Sequence, residues 1–200
     1  MGRKSKKLSK EEKMEVEEWI YQNNTEETRM TDTMTITVKC KTENQKILVN
    51  AIKGKEIIVC SGPAGSGKTF LACAEALRLI KRNSKFKKIV IVKSVTTLKN
   101  EEIGFLKGNL REKMEPFMFS FVHNFEKIVG QSITSKLREL KTIEEMPIAY
   151  MRGINLDKSI IIIDEAQNIS QDNIRTIMTR LGKDSKMIFL GDERQQDSKG

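Results

Sequence analysis

The chain has 200 residues, of which 38% are hydrophobic and 32% charged, with a formal net charge of +9. That length suits one ordinary domain with an appendage, and the apolar share excludes a disordered chain. No apolar run approaches the roughly 18 residues that a membrane span needs, and no apolar stretch follows the basic start to make a signal peptide. Cys40, Cys60 and Cys73 are odd in number, far apart and without a Cys-x-x-Cys pair. They read as small apolar fillers in a reducing compartment, and the composition predicts a soluble, cytoplasmic protein.

Arg3, Lys4, Lys6, Lys7 and Lys10 place five positive charges and no acid in the first ten residues. Such an arm attracts polyanions without reading sequence, or serves as a solubilising tail. Ser9 with Glu12 is a capping-box pattern, and Val16, Trp19 and Ile20 follow at helical spacing. This predicts a short helix from Ser9 to Tyr21, its narrow apolar stripe facing its own domain or a neighbour. Asn23 to Thr35 is polar and threonine-rich and reads as a linker. Residues 1–33 are therefore taken as a basic arm, and residues 34–200 as the main domain.

Within that domain, strands are expected at Glu56–Cys60, Lys88–Val92, Pro147–Met151, Ser159–Ile163 and Lys186–Leu190. Helices are expected at Thr69–Lys81, at Asp172–Leu181 closed by Gly182, and as two helices within Glu101–Leu140 separated near Gly130. The unbroken β-branched run Ser159–Ile163 is the pattern of a strand buried on both faces. Alternating strands and helices predict an α/β fold with a mainly parallel sheet and a helical insertion.

Gly62-Pro63-Ala64-Gly65-Ser66-Gly67-Lys68-Thr69 fits the phosphate-binding pattern G-x-x-x-x-G-K-[ST] without a mismatch. It lies after a buried strand and before a helix, where backbone N–H groups and the helix dipole converge on phosphate oxygens. Lys68 is expected to reach the β- and γ-phosphates and the Thr69 hydroxyl to hold Mg²⁺; Phe70 is counted with the binding residues. Ile160 to Ile163 deliver Asp164 and Glu165 to the C-terminal end of a buried strand, the edge where such sheets bind ligands. Asp164 is expected to bind Mg²⁺ through water. Glu165 is placed to orient and deprotonate an attacking water, which favours hydrolysis over transfer to a small acceptor, or else is a helix N-terminal acid. Gly191-Asp192-Glu193-Arg194-Gln195 follows the last strand, with Gln195 expected to sense the γ-phosphate and Asp192 to support it.

With these motifs in place the chain resembles the PhoH-like ATPases, P-loop proteins related to the superfamily 1 helicase core. The matching blocks are Lys41 to Gln45, Gly62 to Thr69, Gly104-Phe105-Leu106 with Gly108 and Leu110, Ala149 to Gly153, Ile163 to Asn168, Thr179 to Gly182 and Gly191 to Gln195. The resemblance implies a RecA-like three-layer P-loop fold, to which the Ser9–Tyr21 helix adds a short N-terminal helical extension. It implies that Gln45 recognises adenine, so that ATP is preferred over GTP, and that Gln167 contacts the γ-phosphate or the attacking water. Arg152 and Arg180 become candidates for nucleotide or subunit contacts, with surface ion pairing as the alternative. It further implies a homo-oligomeric ring, such as a hexamer, and RNA or single-stranded DNA as partner. The chain departs from the pattern in carrying Lys93-Ser94 where Arg-Pro is usual, and in stopping before the final strand and a late arginine. Some relatives carry an appended nuclease domain, and with few residues ahead of the P-loop domain here no nuclease activity is expected.

Two other signals are weaker. Arg78, Lys81, Arg82, Lys85, Lys87, Lys88 and Lys93 form a basic stretch with no acid among them. Phe105, Phe117, Phe119, Phe121 and Phe125 read as the core of the inserted helices, and the lone His123 as structural. The leading expectation is an ATP- and Mg²⁺-dependent hydrolase coupled to RNA or single-stranded DNA. A nucleotide-gated binding module without turnover is the alternative, and a small-molecule kinase ranks third.

Overall fold

Successive side chains of a strand point to opposite faces, so a strand covered on both sides must be apolar throughout. β4 (Ser159–Asp164) meets that demand, with Ile160 to Ile163 wholly buried. The computed structural model describes residues 30–82, 85–93, 110–151 and 153–195, with the single positions Met14, Glu18 and Thr25. It sets β4 in the middle of a five-stranded sheet with β1 (Ile57–Ser61), β2 (Lys88–Lys93), β3 (Ile143–Glu145) and β5 (Lys186–Gly191). The spatial order is β1-β5-β4-β2-β3 and every pairing is parallel.

Strand alternation divides the core in two. Ile58, Ile89, Ile91, Ile160, Ile162, Ile188 and Leu190 face α1 (Glu43–Gly54), α2 (Lys68–Arg82), α3 (Leu110–Val129) and α4 (Gln131–Glu139). Val90, Val92, Ile161, Ile163, Met187 and Phe189 face Met151, Leu156 and Ile177, the last from α5 (Gln171–Met178). This is the expected three-layer P-loop α/β fold. β1 lies at a sheet edge among the described residues, and its Val59 is 78% exposed. No helix among the described residues is long and apolar enough to cross a membrane.

The basic stretch is mostly spent on structure. On α2, Glu75 is only 1% exposed and pairs with Arg78, whose guanidinium also donates to the carbonyls of Ile36 and Val38. Lys81 donates to the carbonyls of Asp32 at 3.0 Å and Met34 at 2.6 Å. Lys88 pairs with Glu144 at 2.9 Å and Lys85 with Asp184 at 3.3 Å. Lys186 is buried and donates to the Lys55 carbonyl; burial pushes its ammonium below the usual lysine range, against the attraction of Glu56.

Several expectations are corrected. The end of the expected linker is structured: residues 30–33 are helical, and Thr31 and Met34 are buried. α1 was not expected, although Thr42 caps it by accepting from the Gln45 N–H at 3.3 Å. Pro147 to Met151 is no strand, because a proline brings no N–H to a ladder. Residues Ile148–Met151 make a 3₁₀ turn, and the strand lies just upstream at Ile143–Glu145. α5 stops at Met178, and the chain turns through Thr179 to Leu181. Gly130 does separate α3 from α4, with φ at 89°. Phe121 and Phe125 are buried as expected, but Phe119 is exposed and stacks on His123 with ring centres 6.0 Å apart. Phe105, and the side chain of Phe117, lie outside the described residues, as does the Ser9–Tyr21 helix apart from helical Met14 and Glu18.

Gly182 shows why the turn after α5 needs a glycine. Its N–H donates to the Leu156 carbonyl at 3.3 Å, and the next residue, Lys183, donates to the Asp157 carboxylate at 2.8 Å. A Cβ at Gly182 would meet that carboxylate at 2.0 Å and the Asp157 and Leu156 backbone at 2.8 Å. Gly182→Ala is expected to lower stability by about 1–3 kcal/mol, the usual cost of overpacking. Urea denaturation checks this, and an unchanged midpoint would count against the packing described.

Candidate functional site

The loop from Gly62 to Gly67 joins the end of β1 to the start of α2. Gly65 and Gly67 have φ of 75° and 85°, the left-handed region in which a glycine carries no Cβ penalty. The Gly62 N–H donates to the Gly191 carbonyl at 3.1 Å, so the loop starts against the tip of β5. The Lys68 ammonium folds back on its own loop, donating to the carbonyls of Gly62 and Pro63, the latter at 2.9 Å, and to Ser66 Oγ at 3.5 Å.

The acidic end lies beside it. Thr69 Oγ1 is 3.4 Å and 3.5 Å from the two carboxylate oxygens of Asp164. Among the described residues no three His, Cys, Asp or Glu side chains gather as a protein-only metal site. A hydroxyl next to one carboxylate is an all-oxygen pair that fits Mg²⁺, which keeps waters and takes its remaining ligands from phosphate.

Glu165 has φ 54° and ψ 40°, an uncommon backbone for a non-glycine residue. Its carboxylate accepts from Gln167 Nε2 at 2.7 Å, and the same amide group approaches the Gln195 carbonyl at 3.4 Å. Gln167 Oε1 accepts from the Asp192 N–H at 3.1 Å. The buried Asp192 in turn accepts from the Ala64 N–H at 3.0 Å and from the Arg194 N–H at 3.1 Å. The P-loop, the tip of β4 and the tip of β5 are thus tied together by two side chains, Gln167 and Asp192.

Two cavities flank the loop. One, of about 630 Å³, is lined by Lys68, Thr69, Phe70, Asp164, Glu165, Asp192 and Gln195, with Asn124 and Lys127 from α3. The other, of about 520 Å³, lies on the α1 side and is lined by Thr42, Gln45, Leu48, Cys60, Ser61 and Ser66; Gly65 and Lys68 line both. In the second cavity Gln45 Oε1 accepts from the Lys41 N–H at 2.6 Å and its Nε2 donates to the Ser66 carbonyl at 2.9 Å. Its carboxamide is thereby oriented, each end keeping one further hydrogen-bonding position. Burial pushes the Cys60 thiol up, an effect that the Lys68 ammonium opposes. Cys73, wholly buried in α2, is raised well above the usual thiol range by burial and by the Asp164 carboxylate.

The structure therefore brings Lys68, Thr69, Phe70, Asp164, Glu165 and Gln195 to one cavity and Gln45 to the adjoining one. Gln167 sits between Glu165 and the β5 tip and lines neither of the two. Arg180 stays at the end of α5, donating to the Thr176 carbonyl and Thr179 Oγ1, and reaches neither cavity. Arg152 lies outside the described residues. Asn124 and Lys127 went unnoticed in the sequence. Their three-residue spacing puts them on one helix face, but nothing local shows that this face looks onto the P-loop.

Residues 37–200 match the family described as PhoH-like protein. A PhoH-like protein of Bacillus subtilis (strain 168) is 36% identical over 191 residues, covering 96% of this chain and 58% of that one. Protein PhoH of Escherichia coli (strain K12) is 32% identical over 162 residues, covering 80% and 45% respectively. The chain thus spans about half the length of the curated relatives it matches. Among solved structures, the Sulfolobus solfataricus SWI2/SNF2 ATPase core in complex with dsDNA is similar at 18% identity and TM-score 0.45, covering 82% of this chain and 34% of that one. The large terminase of a thermophilic bacteriophage in complex with ADP is similar at 11% identity and TM-score 0.43, covering 75% and 38%. On the family match and the identities to the curated relatives, the chain belongs to the PhoH-like protein family.

Proposed function

We propose that this chain binds ATP with Mg²⁺ at the P-loop and hydrolyses it, with turnover coupled to RNA or single-stranded DNA. The observation that carries the reading is the cavity in which Lys68, Thr69, Asp164, Glu165 and Gln195 meet. Converging loop N–H groups and the start of α2 bind the phosphates. Lys68 exchanges its loop carbonyls for phosphate oxygens. Mg²⁺, held by Thr69 and through water by Asp164, would neutralise charge on the β- and γ-oxygens. Glu165 orients the attacking water and takes its proton, and Gln167 holds the glutamate in place from the β5 tip. Gln195 meets the terminal phosphate. Gln45, already oriented by Lys41 and Ser66, offers its free donor and acceptor positions to the adenine edge.

The nucleic-acid part rests on the basic arm of the sequence, since most of the later basic stretch is paired within the fold. A homo-oligomeric ring and a cytoplasmic location belong to the same proposal. A second reading has one observation in its favour. The Asp192–Ala64 bond lets the state of the P-loop shift the β5 tip, so ATP binding alone could gate a partner.

Phosphate release from ATP and Mg²⁺, measured with and without single-stranded RNA and DNA, separates the two. Release stimulated by one nucleic acid and abolished in Lys68→Ala is expected. ATP bound through Lys68 without any phosphate release would transfer the case to the gated module. The Asp192 contact makes a further prediction, because Asp192→Ala leaves the Ala64 N–H without its acceptor and loosens the whole loop. ATP and ADP affinities should both fall by roughly tenfold, about 1–2 kcal/mol. Titration with fluorescent analogues of both nucleotides checks it, and unchanged affinities would show that the loop holds its shape alone.

A further inference from the structure

The face of α3 that looks onto the P-loop cavity carries Asn124 and Lys127. The helix is held there by Phe121, Phe125 and Ile128, all buried in the core, so both side chains start from a fixed backbone. Asn124 is half-buried and Lys127 is exposed.

The cavity presents three acids, Asp164, Glu165 and Asp192, and two cations, Lys68 and Lys127. Lys68 is engaged with its own loop. Lys127 makes no ion pair or side-chain hydrogen bond among the described residues. Its position selects one end of a nucleotide. It shares a cavity with Thr69, Asp164, Glu165 and Gln195, and is absent from the adjoining cavity that holds Gln45.

We infer that Lys127 is an in-chain cation for the terminal phosphate of a bound nucleoside triphosphate, with Asn124 as a neutral donor beside it. Lys68 approaches the phosphate chain from the loop, and Lys127 approaches from α3. The two ammonium groups together offset the charge of the triphosphate where the acids would otherwise repel it. A diphosphate lacks the group that Lys127 meets. This inference rests on the nucleotide reading given above.

The test compares dissociation constants for ADP and for the β,γ-imido analogue of ATP, both with Mg²⁺, so that no turnover is needed. In Lys127→Ala the triphosphate analogue should bind roughly tenfold or more weakly, with ADP changed less than about twofold. Lys127→Arg should keep most of the triphosphate affinity, and Lys68→Ala should weaken both nucleotides. Circular dichroism of each variant controls for folding, which an exposed lysine does not govern. Unchanged triphosphate affinity in Lys127→Ala, or an equal loss for both nucleotides, would overturn the assignment. If the unaltered chain binds neither nucleotide, the nucleotide reading fails first, and this inference with it.

Discussion

Everything at the site depends on β1, β4 and β5 ending side by side. Ser61 is in register with Gly191, and Ile163 with Phe189, so the P-loop, the Asp164–Glu165 pair and the Asp192–Gln195 turn leave the sheet at one edge. Parallel pairing is what makes this possible, because every strand then delivers its C-terminal end to the same side. β2, β4 and β5 are apolar on both faces and buried between the two helical layers, which holds their C-terminal tips side by side. The charged groups are held at that edge by residues that never touch it.

Polar contacts then set the fine geometry. Gln167 uses both ends of its carboxamide, one on the Glu165 carboxylate and one on the Asp192 N–H. Gly191 lets it lie so close, for a Cβ there would come within 3.1 Å of Gln167 Oε1. Glu165 itself is held in a left-handed backbone, a conformation that costs about 1–3 kcal/mol and persists where its surroundings impose it. This places Gln167, for which the resemblance implies a contact to the γ-phosphate or the attacking water, between Glu165 and the tip of β5.

The parts of the site that could be read in the sequence are those in which one short segment carries its own chemistry. The P-loop needs glycines at set positions, and the β-branched run before Asp164 announces a buried strand. Contacts between distant segments were not legible. α1 was missed because only Leu48, Val49 and Ile52 are buried along it. β3 was hidden because its three residues include two glutamates, so its place comes from backbone pairing with β2. Lys127 carries no local pattern to say that its helix faces the P-loop. The partners of Arg78 and Lys81 are not legible in the sequence because the carbonyls they bind lie some forty or more residues away.

The proposed hydrolysis turns on Glu165, held by Gln167 beside the P-loop, activating the water that attacks ATP. Single-turnover phosphate release by the unaltered chain and by Glu165→Gln, at saturating ATP and Mg²⁺, tests this most directly. The release rate is expected to fall by about 10²–10⁴-fold in the variant, the usual contribution of a general base, with ATP affinity retained. A variant that releases phosphate as fast as the unaltered chain would contradict the proposal.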